Sequence, residues 1–205
     1  MAEAGGSYPP TKITPDTFAR WMRILGKVDG SVLWLLAAHT TAEQNLRREA
    51  AAMGIAPARL IFAGRVPLPE YLARYRAADL FLDTLPYNAG ATASDALWVG
   101  LPVLTLIGEA FPSRVAASVL TAIGMPDLIT HTADAYEALA VDLATNPAHL
   151  QSVRLKLADN RHTMPLFDSK IFRKHLEDAY MQMVARDRSG LAPVDIFVSA
   201  ASPTA

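Results

Sequence analysis

The 205-residue chain contains no cysteine, which removes disulfides, thiolate metal ligands and a cysteine nucleophile together. It also contains no Gly-x-Gly, so the fingerprint of NAD- and FAD-binding proteins is missing. Gly26-Lys27 lacks the upstream glycine and the following Ser or Thr of a Walker loop, which argues against ATP hydrolysis. His39, His131, His149, His162 and His175 form no His-x-x-x-His pair, and no metal site is expected. No Gly-x-Ser-x-Gly elbow is present either. Charge of one sign is lacking too. With 19 basic and 20 acidic side chains interspersed, there is no clustered footprint for nucleic acid or a membrane surface. No apolar run approaches the roughly 20 residues of a membrane helix. The opening Met1-Ala-Glu-Ala-Gly-Gly has neither the basic region nor the apolar stretch of a secretion signal. A cytoplasmic protein without nucleic-acid or membrane partners is the expectation.

What the chain does have is apolar residues, 51% of the total, enough for a substantial core. Residues 1–11, with Gly5-Gly6 and Pro9-Pro10, read as a flexible lead-in. Residues 12–188 read as one domain, and residues 189–205, rich in Pro and Ala, as a loosely held tail. Thr14-Pro15-Asp16 predicts a helix start, with Thr14 as cap and Pro15 in the first helical position. Unbroken apolar runs at 31–36, 59–62, 79–83 and 101–105 have strand length. They alternate with helical patterns of about a dozen residues. Strands apolar on both faces and separated by helices imply a parallel sheet covered on both sides. The fold class is therefore α/β, a Rossmann-like doubly wound sheet with its ligand at the carboxyl ends of the strands. Trp21, Trp34 and Trp98 lie within apolar patterns and read as core.

The stretch from Leu82 to Thr105 is the most informative: a strand, a loop of small residues, a helix beginning near Thr92 and another strand. A strand feeding a tight loop into a helix N-terminus presents unpaired backbone amides and the positive end of the helix dipole to an anion. Ala89, Gly90, Ala91 and Ala93 keep side chains clear of an approaching ligand. Thr92 supplies a hydroxyl suited to phosphate, and Asp95 a carboxylate suited to the two hydroxyls of a ribose. The same residues also fit a plain capping box, Thr92 bonding the amide of Asp95, and residue types alone leave both readings open. Asp83, at a strand end, reads as a turn-capping carboxylate. Thr84, Pro86 and Asn88 read as loop-shaping.

Asp83-Thr-Leu-Pro-Tyr-Asn-Ala-Gly-Ala-Thr-Ala-Ser-Asp-Ala-Leu-Trp98 resembles the donor-binding signature of the protein O-GlcNAc transferase and SPINDLY-like family, glycosyltransferase family 41. Gly100-Leu-Pro-Val-Leu-Thr105 and Gly108-Glu-Ala-Phe-Pro-Ser-Arg114 follow in the family's order. Lys12-Ile-Thr-Pro, Ser31–Leu36, Arg59–Arg65 and Pro165-Leu-Phe-Asp168 are similar to it as well. The likeness covers about residues 7–186, and the bacterial members with tetratricopeptide repeats look most alike. The resemblance implies the C-terminal, donor-binding half of a GT-B enzyme. Such an enzyme transfers GlcNAc from UDP-GlcNAc to Ser or Thr with inversion and without metal or other cofactor. Its implied partners are the UDP-sugar, an N-terminal catalytic lobe with a repeat region, and protein acceptors. By motif, Lys12 falls on the diphosphate and stabilises the leaving group, and Gly90, Ala91, Thr92 and Ala93 hold the phosphates. Asp95 falls on the ribose, and Tyr71 and Arg74 on the uracil. Ser113 and Arg114 begin the next helix near the same edge, Arg114 being equally suited to a structural ion pair. The chain departs from the family at Ala91, where a hydroxyl residue is usual, and at Tyr8-Pro-Pro-Thr11, where an Asn-rich lead is usual. These departures keep two alternatives in view: a degenerate, non-enzymatic module of the same fold, or a GT-B lobe using another nucleotide sugar.

Overall fold

The computed structural model describes residues 2–3, 12–37 and 39–199. Among these, six strands form a parallel sheet: β1 (Ala2–Glu3), β2 (Leu33–Leu36), β3 (Leu60–Ala63), β4 (Leu80–Leu82), β5 (Val103–Leu106) and β6 (Ile129–Thr130). Their spatial order is β3-β2-β1-β4-β5-β6. This is the doubly wound arrangement expected from the alternating apolar runs. The strand at Ala2–Glu3 is a departure: it falls within the expected lead-in yet pairs with both β2 and β4. The rest of that lead-in, residues 4–11, lies outside the described residues.

Connection direction decides where the helices go. β1 to β2 and β2 to β3 step one way across the sheet, while β3 to β4, β4 to β5 and β5 to β6 step the other way. Right-handed crossovers then place α1 (Pro15–Lys27) and α2 (Thr40–Ala52) on one face. They place α3 (Leu68–Tyr75), α4 (Ala91–Val99) and α5 (Val115–Ala122) on the other. The packing agrees: α4 lies between α3 and α5, and α1 packs against α6 (Ala133–Thr145).

Helix starts follow local chemistry. Thr14 caps α1, its hydroxyl accepting from the Thr17 amide at 3.2 Å, with Pro15 next in the chain. The Arg59 guanidinium donates to the Leu25 and Val28 carbonyls at 2.9 and 2.8 Å and so closes the other end of α1. Arg23 donates from Nε to both Glu137 oxygens at 3.0 and 3.1 Å and from Nη2 to Oε1 at 2.5 Å, tying α1 to α6. The core comprises Trp21, Leu25, Leu33, Leu60, Phe81, Leu82, Leu97, Leu104, Leu120 and Tyr136, all buried.

Trp98 departs from its expected place in the core. It is 51% exposed and meets Phe167 edge-on, ring centroids 5.1 Å apart. Ala93, Ala96 and Leu97 fill the inward face of α4 instead. α7 (Pro147–Thr163) follows α6, and Arg161 donates to the Trp98 carbonyl at 2.7 Å. α8 (Ser169–Arg188) buries no residue, and Phe172 and Met181 on it are exposed. Residues 191–199 have no regular structure. No described helix is long and apolar enough to cross a membrane.

Candidate functional site

β4 ends at Leu82, and the next residue governs the loop that follows. Asp83 is buried, its Oδ1 accepting from the amides of Thr84 at 2.8 Å and Ala89 at 2.7 Å. Its Oδ2 accepts from the Thr105 hydroxyl at 2.6 Å. One carboxylate thus closes the loop on itself and fastens it to β5, the turn-capping role expected for it. Thr84 Oγ1 donates to the Tyr87 carbonyl at 2.6 Å, and Asn88 Nδ2 donates to the Thr84 carbonyl at 2.7 Å. These two residues shape the loop, as expected.

A second loop locks onto the first. The Asn88 amide donates to the Pro112 carbonyl at 2.8 Å, and Gly108 donates to the Ser113 carbonyl at 2.9 Å. A Cβ at Gly108 would stand 2.5 Å from Ser113 Oγ and 3.2 Å from Leu85 Cδ1, so only glycine allows this approach.

The loop delivers the chain to α4. Gly90 occupies the cap position, the helix begins at Ala91, and the first backbone bond runs from the Ser94 amide to the Gly90 carbonyl. The amides of Ala91, Thr92 and Ala93 therefore precede the helical ladder. Thr92 lies inside the first turn, not at the cap, so the capping-box alternative is not the arrangement found. Ala91 is exposed, and Ala93 is buried with its methyl in the core, which leaves its amide as the group it can offer a ligand.

Thr92 and Asp95 line a cleft of about 340 Å³ at the carboxyl ends of β2 and β3. That is the volume range of small-molecule pockets. Tyr71 and Arg74, from α3, line the same cleft. Four of the expected site residues, from two helices, are therefore brought together. Arg74 donates to the Gly64 carbonyl at 2.6 Å, which holds its guanidinium at the cleft wall. The Tyr71 hydroxyl bonds that of Tyr75, and the two rings meet edge-on with centroids 4.8 Å apart. Partial burial pushes the Asp95 carboxyl above its ordinary value.

Lys12 does not line this cleft. Its ammonium stands over the Tyr87 ring, 3.8 Å from the centroid. Its pKa is pushed down by burial and drawn partly back up by the Asp83 carboxylate. Ser113 and Arg114 are also elsewhere. The Ser113 hydroxyl donates to the Ala110 carbonyl at 2.7 Å, and Arg114 borders a separate open pocket beside Phe111 and His131.

Residue types alone missed part of the lining. Trp34 walls the cleft although its apolar run reads as core, and Gly64, Arg65 and Val66 form its floor beyond β3. The signal was positional: a loop at the carboxyl end of a parallel strand is where such a sheet holds its ligand.

Residues 10–176 match the model of the family described as Glycosyl transferase family 41. The chain is 38% identical over 184 residues to a UDP-N-acetylglucosamine--peptide N-acetylglucosaminyltransferase of Caenorhabditis elegans, covering 90% of this chain and 16% of that protein. It is 37% identical over 183 residues to the probable enzyme of that name, SEC, of Arabidopsis thaliana, covering 89% and 19%. Among solved structures it resembles a mutant of Thermobaculum terrenum O-GlcNAc transferase, with a TM-score of 0.83 and 30% identity. That match covers 89% of this chain and 36% of the other. The chain thus spans less than a fifth of the curated relatives cited and about a third of the solved one. With the doubly wound sheet and a family match over most of its length, the chain belongs to glycosyl transferase family 41.

Proposed function

We propose that the cleft takes the nucleotide of UDP-GlcNAc and that the chain is the C-terminal, donor-binding half of a two-lobed GT-B enzyme. That enzyme transfers GlcNAc to Ser or Thr of proteins, with inversion and without a metal. One observation carries the reading: Thr92, in the first turn of α4, and Asp95, three residues further on, line the same cleft as Tyr71 and Arg74 of α3. The carboxylate of Asp95 accepts from the ribose hydroxyls. The Thr92 hydroxyl and the amides from Gly90 to Ala93 receive the diphosphate, where the helix dipole favours negative charge. Tyr71 offers a ring face to the uracil and Arg74 a planar donor. Charge grows on the diphosphate as the glycosidic bond breaks, and the Lys12 ammonium, which stands over Tyr87 outside the cleft lining, stabilises it from beside the loop that leads into α4.

Catalysis needs a second lobe opposite this cleft and a surface that selects acceptors. Both belong to the length that the relatives have and this match does not cover. The isolated chain therefore binds donor without transferring sugar. Titration calorimetry tests this: UDP binds the wild-type chain, and Asp95→Ala weakens binding about ten-fold or more, the scale of a hydrogen bond to a charged group. Absence of heat at millimolar UDP overturns the reading. Competition among UDP-sugars then identifies the sugar.

A further inference from the structure

Tyr87 is a large aromatic residue that burial does not hold in place, being 54% exposed. Its backbone is nevertheless fixed. The Tyr87 carbonyl accepts from Thr84 Oγ1, the next amide donates to Pro112, and the one after that donates to Asp83. A pinned backbone thus presents one aromatic face at the surface, and over that face stands the Lys12 ammonium, 3.8 Å from the ring centroid. This is well inside the roughly 6 Å reach of a cation–π contact.

We propose that Tyr87 is a positioning residue for Lys12, its ring holding the ammonium beside the loop that leads into α4, where a diphosphate meets it. The inference rests on the donor-cleft reading above. An ammonium on a four-carbon stem explores many rotamers, and a fixed surface beneath it removes that freedom before the ligand arrives. An aromatic face suits the task better than a carboxylate at contact distance. The ring orients the cation through its quadrupole without cancelling the charge that phosphate needs, and at a half-exposed site the attraction is weak enough to yield to phosphate.

Calorimetry with UDP and with uridine, on wild type, Y87A, Y87F, K12M and the K12M/Y87A double variant, tests the proposal. Y87A is expected to weaken UDP binding about two- to five-fold, the scale of an exposed cation–π contact, and to leave uridine binding unchanged. Y87F restores UDP affinity because it keeps the ring. In the K12M background, removing the ring has no further effect, since there is no ammonium left to place. A Y87A chain that binds UDP like wild type, loses uridine equally, or loses as much again on top of K12M overturns the proposal. Y87L keeps bulk without the quadrupole, and it takes the place of Y87A should the alanine variant melt early. A wild-type chain that binds no UDP removes the donor-cleft reading and this inference with it. UDP binding without coupling between Tyr87 and Lys12 removes this inference alone.

Discussion

The Asp95 carboxylate proposed to hold the ribose is also a burden on the fold. Burial pushes its carboxyl above the ordinary value, so around the carboxylate range the folded chain holds a proton that the unfolded chain has released. Stability from this group is present at low pH and is lost as pH rises through the raised value. At neutral pH the ionised side chain is a cost to the fold. Asp95→Asn should melt at or above the wild-type temperature at pH 7, and the difference should close as pH falls below about 4. The same variant should bind UDP more weakly. Thermal melts across pH beside a titration check both halves, and a variant that melts lower at pH 7 contradicts the account. At this scale the sequence was legible where chemistry is local. Thr14 followed by proline reads as a cap, Asp83 at a strand end reads as a turn carboxylate, and both are found so. Trp98 was not legible, because the apolar run 96–99 does not reveal which face of α4 turns inward. Trp34 was hidden for the same reason, one side of an apolar strand meeting the cleft.

Among the elements, α1 and α6 are joined through an ion pair between residues 114 positions apart in the chain. Arg23 bonds both oxygens of Glu137, whose side chain is 9% exposed, while Arg23 itself stays half in solvent. That hydrogen bonding holds the Glu137 carboxyl below its usual value. Its stabilising contribution is therefore present above the ordinary glutamate range and lost as pH falls through the lowered one. Glu137→Gln should lower stability by about 1–2 kcal/mol at pH 7, a value discounted for the exposure of Arg23. The deficit should shrink below about pH 4, where wild type loses the charge as well. Chemical denaturation at the two pH values measures it, and an undiminished deficit at low pH assigns the loss to packing. No sequence pattern linked residues 23 and 137, since each looks like an ordinary solvated charge on a helix. The four expected strands were readable to within two residues, because uniformly apolar runs stand apart from helical periods, while α3, α4 and α5, at 8, 9 and 8 residues, are shorter than the dozen expected. The two-residue β1 was not readable, being too short to show any period.

For the whole molecule, strand order and site location follow from one topological fact. Connections leave β1 and β4 in opposite directions, and the cleft opens at the carboxyl side of the strands, one wall built by β2, β3 and α3 and the other by α4. The composition could announce such a sheet, and the small-residue loop could mark one wall. The opposite wall arises only when a loop some twenty-five residues earlier in the chain folds across from it. UDP should slow amide hydrogen exchange in α3 and α4 together, and protection confined to one of them would place the nucleotide elsewhere. Because its two walls are carried by separate stretches of backbone, an occupied cleft works as a clasp. A guest would stitch the early and middle portions of the polypeptide to each other, adding a third tie to the strand ladders through β1 and the packing of α3 on α4.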